Sequence, residues 1–232
     1  MKIRIKFAKY GTMKFIGHLD TMRFFQKAIR RADIDIKYSE GFSPHQIMSF
    51  AAPLGVGIES YGEYMDIEVL SMTSTQDIKD ALNKVMVEGI EVLSVTILPE
   101  QVKNAMASVS AASYSIRMKD RIFPIDDLGE KLRDFYDQDK IPYTKETKKS
   151  TVELDLKQGI YELRSEADGA IYMLVNASSS GNIKPTMVLE KFCEFADVEI
   201  PTEKCQVTRL ETYTNIASSE EKQKLIPLAE VG

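Results

Sequence analysis

Apolar and polar residues alternate strictly in KIRIKF at the start of the chain. This puts Ile3, Ile5 and Phe7 on one face and Lys2, Arg4 and Lys6 on the other, the two-residue period of a half-buried strand. The period then changes to that of a helix. From His18 to Ala32, the side chains of Met22, Phe25, Ala28, Ile29 and Ala32 share one side, while Arg23, Lys27, Arg30 and Arg31 share the opposite one. Gly17 precedes this helix, and Asp20 lies in its first turn, where a carboxylate suits the positive end of the dipole. A strand is expected around residues 46–51. EYMDIEVL then alternates again, with Met65, Ile67 and Val69 inward. STQDIKDALNKVMVEG has a serine or threonine start, an apolar face of Ile78, Ala81, Leu82 and Val85, and a stop at Gly89, and IEVLSVTIL closes the half as a strand.

That order is βαββαβ, the ferredoxin-like pattern of α+β proteins, with two helices on one face of an antiparallel sheet. The second half repeats the order without repeating the residues. VSAASYSIRM suits a strand, 125–137 a helix, VELDLKQGIYELRS a hairpin around Gly159, and AIYMLVNA a strand; KPTMVLEKFCEFA suits a helix opened by Pro185, and CQVTRLETY a last strand. The expectation is two tandem ferredoxin-like domains, 1–100 and 109–214. They are joined through QVKNAMAS at 101–108 and followed by a polar, loosely held tail, 215–232.

With 232 residues, 44% hydrophobic and 28% charged, the chain has the make-up of a soluble globular protein. No stretch approaches the ~18 apolar residues of a membrane span, so no membrane association and a cytoplasmic location are expected. Cys193 and Cys205 lack the CxxC spacing of metal or redox motifs and read as buried free thiols on a helix and a strand. Charge is uneven. Residues 1–50 carry ten Lys and Arg against four acids, a local +6 in a chain of net −5, so the remainder carries −11. A basic end on an acidic body can steer an anionic partner to one place.

A ferredoxin-like sheet raises the possibility of RNA bases stacking on its open face. The open-face positions, however, are Lys2, Arg4 and Lys6 on one strand and Tyr64, Asp66 and Glu68 on its antiparallel neighbour, which predicts cross-strand pairing instead. The stripe of Arg23, Lys27 and Arg30, which project together, is the better anion site, since arginine suits phosphate. Residues 38–57, YSEGFSPHQIMSFAAPLGVG, gather glycines at 41, 55 and 57, prolines at 44 and 53, and one of the two histidines. If this stretch folds back over the helix N-terminus, His18, Asp20 and His45 could form an acid–base group or a metal site beside Tyr38, Ser39 and Ser43. NASSSGNIKP, leading into a helix N-terminus, reads as a connecting loop without the spacing of a phosphate-binding P-loop.

FIGHLDTMRFFQKAIRRADI followed by YSEGFSPHQIMSFAAPLGVGIESYGEYMDIEV resembles the N-terminal signature of the radical-SAM-associated (radical-SAM-linked) family of bacterial proteins of unknown function, in its stand-alone form. The likeness runs through the GHLD of 17–20, Arg23, Arg30–Arg31, Tyr38–Ser39, Gly41–Phe42, Pro44–His45, Phe50–Ala51, Pro53–Leu54, Gly57 and Gly62–Glu63. It implies an accessory or substrate-binding protein that works with a separate radical-SAM enzyme on an RNA or ribosomal substrate. Substrate contacts would come from Arg23, Lys27, Arg30, Arg31, Tyr38, Ser39, Gly41, Phe42, Ser43 and Pro44. S-adenosylmethionine and the iron–sulfur cluster are implied for the partner enzyme alone, because this chain has no CxxxCxxC and only two cysteines. Two alternatives stand beside this reading. One is a self-sufficient RNA-processing enzyme; tandem ferredoxin-like domains with a helix histidine resemble CRISPR-RNA endonucleases, although the C-terminal half lacks their glycine-rich loop. The other is a structural interaction module.

Overall fold

The computed structural model describes residues 1–119, 122–146, 151–217 and 223–231 of a mixed α+β protein whose strand pairing is mostly antiparallel. The chain divides into two compact units, Met1–Ser110 with Arg209–Gly232, and Ala111–Thr208. The first opens with β1 (Lys2–Lys9), α1 (His18–Arg31), β2 (Met48–Phe50), β3 (Glu59–Glu68), α2 (Thr75–Asn83) and β4 (Ile90–Ile97). β1 pairs antiparallel with both β3 and β4, and β2 pairs antiparallel with β3. Ile3, Ile5 and Phe7 are buried as the alternation requires, and they pack with Phe25 and Ile29 of α1, Phe50 of β2, and Met65 and Ile67 of β3. The rings of Phe7 and Phe25 meet edge to face at 4.7 Å, a favoured aromatic geometry. Helix α2 is capped by Ser74, which accepts from Asp77 N at 3.0 Å. It ends before Gly89 because the Asn83 side chain bonds both the N–H and the C=O of Val92, tying the chain to β4.

The segment 101–108 is not a linker. α3 (Ala105–Ser108) is capped by the Asn104 side chain, and Ala105 is fully buried in the first unit.

The second unit contains β5 (Ala111–Met118), α4 (Leu128–Tyr136), β6 (Pro142–Glu146), β7 (Thr151–Asp155), β8 (Ile160–Ser165), β9 (Ile171–Asn176), α5 (Pro185–Phe195) and the start of β10 (Cys205–Asn215). Its strand order is β10-β5-β9-β8. The expected hairpin around Gly159 does not form. β7 pairs with β6 in a separate two-stranded sheet, and β8 pairs with β9. The chain makes a 3-10 turn at Leu156–Gly159, where a Cβ on Gly159 would lie 2.3 Å from Ile183 Cδ1. Alternation alone identifies strands without saying which neighbour each takes. Cys193 on α5 and Cys205 on β10 are free and buried, and burial raises the Cys193 thiol to about 11.

From Arg209 the chain returns to the first unit, whose strand order is β4-β1-β3-β10. β11 (Leu225–Pro227) pairs antiparallel with Tyr213–Asn215 of β10, and Leu228 is fully buried. The expectation of a loosely held tail is therefore corrected for 223–231; residues 218–222 and 232 lie outside the described residues. The sheet face expected to be open is corrected by the same segment. Arg4 is 1% exposed, and its guanidinium bonds Asp66 at 2.8 and 2.9 Å, Leu228 O at 3.2 Å and Lys103 O at 3.4 Å. The expected cross-strand pairing holds at Arg4–Asp66, whereas Lys6 pairs with Glu211, which also accepts from Tyr64 Oη at 2.6 Å. Burial, reinforced by Glu211, holds the Tyr64 phenol well above its ordinary range.

Candidate functional site

Helix α1 turns Phe25, Ala28 and Ile29 into the core and leaves Arg23, Lys27, Arg30 and Arg31 exposed. The four do not behave alike. Arg23 makes a long contact, 3.4 Å, with the equally exposed Asp20 one turn earlier, a pair of little energetic weight. Arg31 turns towards the end of α2, reaching Val85 O at 3.4 Å, with its guanidinium 6.0 Å over Phe24. Among the described residues, Lys27 and Arg30 have no side-chain hydrogen bond or ion pair. The open part of the stripe is thus Arg23, Lys27 and Arg30, at successive i, i+4 and i+7 positions of one face.

The punctuated stretch divides into two loops with different jobs. Tyr38 and Gln46 form a bridge, Ser39 N donates to His45 O at 2.8 Å, and His45 N donates to Ser39 Oγ at 3.1 Å. Ser39 Oγ also lies 2.9 Å from His45 Nδ1, so backbone and side chain together close a tight loop over 39–45. Gly41 at its tip has φ +106°, a conformation that glycine adopts without strain. Beside it Phe42 is fully exposed, while Ser43 and Pro44 are exposed on the same loop. The loop stem is fastened to α1, because Gln46 Nε2 donates to Gln26 O at 3.2 Å. Gln26 sits between Arg23 and Arg30 along the helix, so the loop stands next to the basic stripe.

The second loop, after Phe50, packs down instead. Gly57, at φ +86°, donates to Lys14 O at 2.9 Å, and Ala51 and Leu54 are buried. Here His18 meets the Phe50 ring edge to face at 5.3 Å. His18 faces a cavity of about 10 Å³ lined also by Phe7, Lys9, Thr21, Phe50 and Glu63, at the lower bound of what one water fills. Of the expected grouping of His18, Asp20 and His45, the metal site is corrected, and each of the three has a different neighbour. His18 belongs to the cavity, Asp20 to Arg23, and His45 to Ser39. Among the described residues no group of three or more His, Cys, Asp or Glu could hold a metal ion.

Under His18 lies a cluster that the sequence reading passed over. Lys9 is 2% exposed and donates to Ile16 O at 2.9 Å. Glu63 Oε1 accepts from Ser60 Oγ at 2.6 Å and from Arg209 Nη1 at 2.8 Å. Burial pulls the Lys9 ammonium below its ordinary range, opposed by Glu63 and assisted by Arg209. The signal was present in the alternation itself, since Lys9 continues the odd-numbered series of Ile3, Ile5 and Phe7. Because the unfolded chain holds the lysine proton to higher pH than the folded one, stability rises with pH from the lowered folded value up to ~10.4. Lys9→Met is expected to be neutral to stabilising at pH 7, by up to ~1–2 kcal/mol, and to flatten that rise. Urea midpoints at pH 7 and pH 10 check both.

The profile of one protein family, described as "Uncharacterized protein conserved in bacteria (DUF2344)", matches residues 2–185. The chain belongs to this family. Comparison with curated proteins gave no match. The matched stretch takes in α1, both loops and Glu63, and ends at the first residue of α5.

Proposed function

We propose that this member of the family is an accessory, substrate-binding protein that presents RNA, free or in the ribosome, to a separate radical-SAM enzyme in the cytoplasm. The observation that carries the reading is the pairing of Lys27 and Arg30, two exposed cations without a side-chain partner among the described residues, with a loop fixed beside them that holds Phe42 in solvent. Cations on one helix face suit successive phosphates, and an exposed aromatic next to them suits an unstacked base. The covered sheet face turns the RNA reading away from sheet-stacked bases and towards α1. The resemblance of the signature residues supports the radical-SAM association. Two buried cysteines on α5 and β10 do not fit a cluster held by cysteine thiolates, so that chemistry is assigned to the partner. The reading of each half as ferredoxin-like draws support from β4-β1-β3-β2 pairing in one and β10-β5-β9-β8 in the other.

Titration of labelled single-stranded RNA against the wild type and an Arg23→Ala/Arg30→Ala variant tests the stripe. Loss of two phosphate contacts is expected to weaken binding and to reduce the salt slope by about 1.4, at ~0.7 per contact. Equal affinity and slope for the two proteins would return the stripe to a solvated helix face. Co-purification with mass spectrometry of proteins and RNA tests the second half of the reading, with a CxxxCxxC-bearing enzyme as the expected companion.

A further inference from the structure

Gln46 is 6% exposed, and among the described residues its Oε1 is the buried side-chain oxygen without a hydrogen-bond partner. An acceptor left in this state is costly, and such groups in native proteins call for an explanation. The amide orientation is fixed, because exchanging O and N would set Oε1 against the Gln26 carbonyl that Nε2 now serves at 3.2 Å. The second Nε2 proton has only a 3.5 Å contact with Tyr38 Oη, at the outer limit of a hydrogen bond. The Gln46 amide therefore offers one free acceptor beside one weakly used donor. It does so at the stem of the loop, bonded to Gln26, which lies about one turn along α1 from both Arg23 and Arg30, with Tyr38 half-exposed beside it and Phe42 at the tip.

We infer that Gln46 reads an unpaired, amino-bearing nucleobase of the RNA, adenine above all; this rests on the RNA-binding reading of the stripe. The ligand must satisfy two demands at one place. It must carry negative charge for Arg23, Lys27 and Arg30, and an N–H donor with a neighbouring acceptor for the amide. Polyphosphate meets the first demand alone. A nucleotide meets both, and the amino group and ring nitrogen of adenine are the general match for a glutamine amide. Tyr38, whose Oη lies 3.5 Å from Nε2, is the stacking partner for that base. Phe42 takes the next base.

The test uses the full chain and three labelled oligonucleotides of equal length: oligo(rA), an abasic ribose-phosphate chain, and oligo(rA) built with N6,N6-dimethyladenine. Wild type is expected to bind oligo(rA) about tenfold more tightly than either of the others, since the methyl groups remove the donor and keep the charge. Gln46→Met, which preserves side-chain volume, is expected to abolish that preference while leaving abasic affinity and its salt slope unchanged. Should the variant fail to fold by thermal melt, the dimethyladenine arm decides on wild type alone. Equal binding of all three by wild type overturns the base readout and leaves the phosphate-binding stripe standing. Binding of none at low salt overturns both.

Discussion

Asp66→Ala is expected to cost about 3–5 kcal/mol, the range for removing one partner of a buried ion pair. Asp66 accepts two bonds from Arg4, at 2.8 and 2.9 Å, and a third at 2.6 Å from Ala105 N, the first residue of α3. Without it the Arg4 guanidinium keeps only the Leu228 and Lys103 carbonyls, and the first turn of α3 loses an acceptor. Urea denaturation followed by far-ultraviolet circular dichroism reads the loss as a fall in midpoint. The companion Arg4→Met/Asp66→Leu variant separates charge from packing. If the loss comes from an uncompensated buried cation, the double variant recovers most of it; an equal loss in both would locate the cost in α3 docking.

Gly62→Ala is the second large effect. A Cβ at this position would stand 2.5 Å from Glu211 Cα and 2.9 Å from Glu211 N and C. These are backbone atoms of β10, so no rotamer change relieves the clash, and β3 and β10 must separate locally. Their separation would also break the 2.7 Å bond from Thr212 Oγ1 to Gly62 O and disturb Lys6 and Tyr64 on Glu211. A loss of about 3 kcal/mol, the upper end for overpacking, is expected, with amide exchange accelerated first along Arg209–Asn215. Unchanged exchange there would show that the strands accommodate a methyl group.

Period was the legible part of the fold. Alternation placed Ile3, Ile5, Phe7, Met65 and Ile67 inward, and the helical repeat placed Phe25 and Ile29 opposite the basic stripe, because each pattern reports which side of one element faces a core. What period does not report is which distant segment supplies the cover. Arg4 and Lys6 looked like an outward face, and they are outward from the α1 side, but Ala105 and Leu228 close over Arg4 from elsewhere in the chain. The same blindness produced the hairpin at 152–165, where both strands are real and the partners are not. In the candidate site, Ser39 and His45 were drawn together by nearness in sequence, and a tight loop does join them. His18 and His45 were joined by chemistry alone; His18 stacks edge to face on Phe50, while His45 bonds Ser39. Gln46 carried no signal, since an orphaned oxygen exists only once its neighbours are in place.

The closing of the Arg4 face by Leu228 has a consequence for how the protein is made. The two residues are 224 positions apart, and the bond between them is one of the longest-range contacts a chain of this length can contain. On the ribosome, residues 1–110 emerge with the Arg4–Asp66 pair bonded to Lys103 and Ala105 but still without its Leu228 cover. Residues 111–208 must then be synthesised before β10 and Leu228 arrive. At ~5–20 residues per second that wait is on the order of 5–20 s, long compared with the folding time of a typical small domain. During that interval the nascent first unit is a natural client for chaperones that hold unfinished surfaces. A ribosome stalled within the second unit would release a chain unable to complete the first.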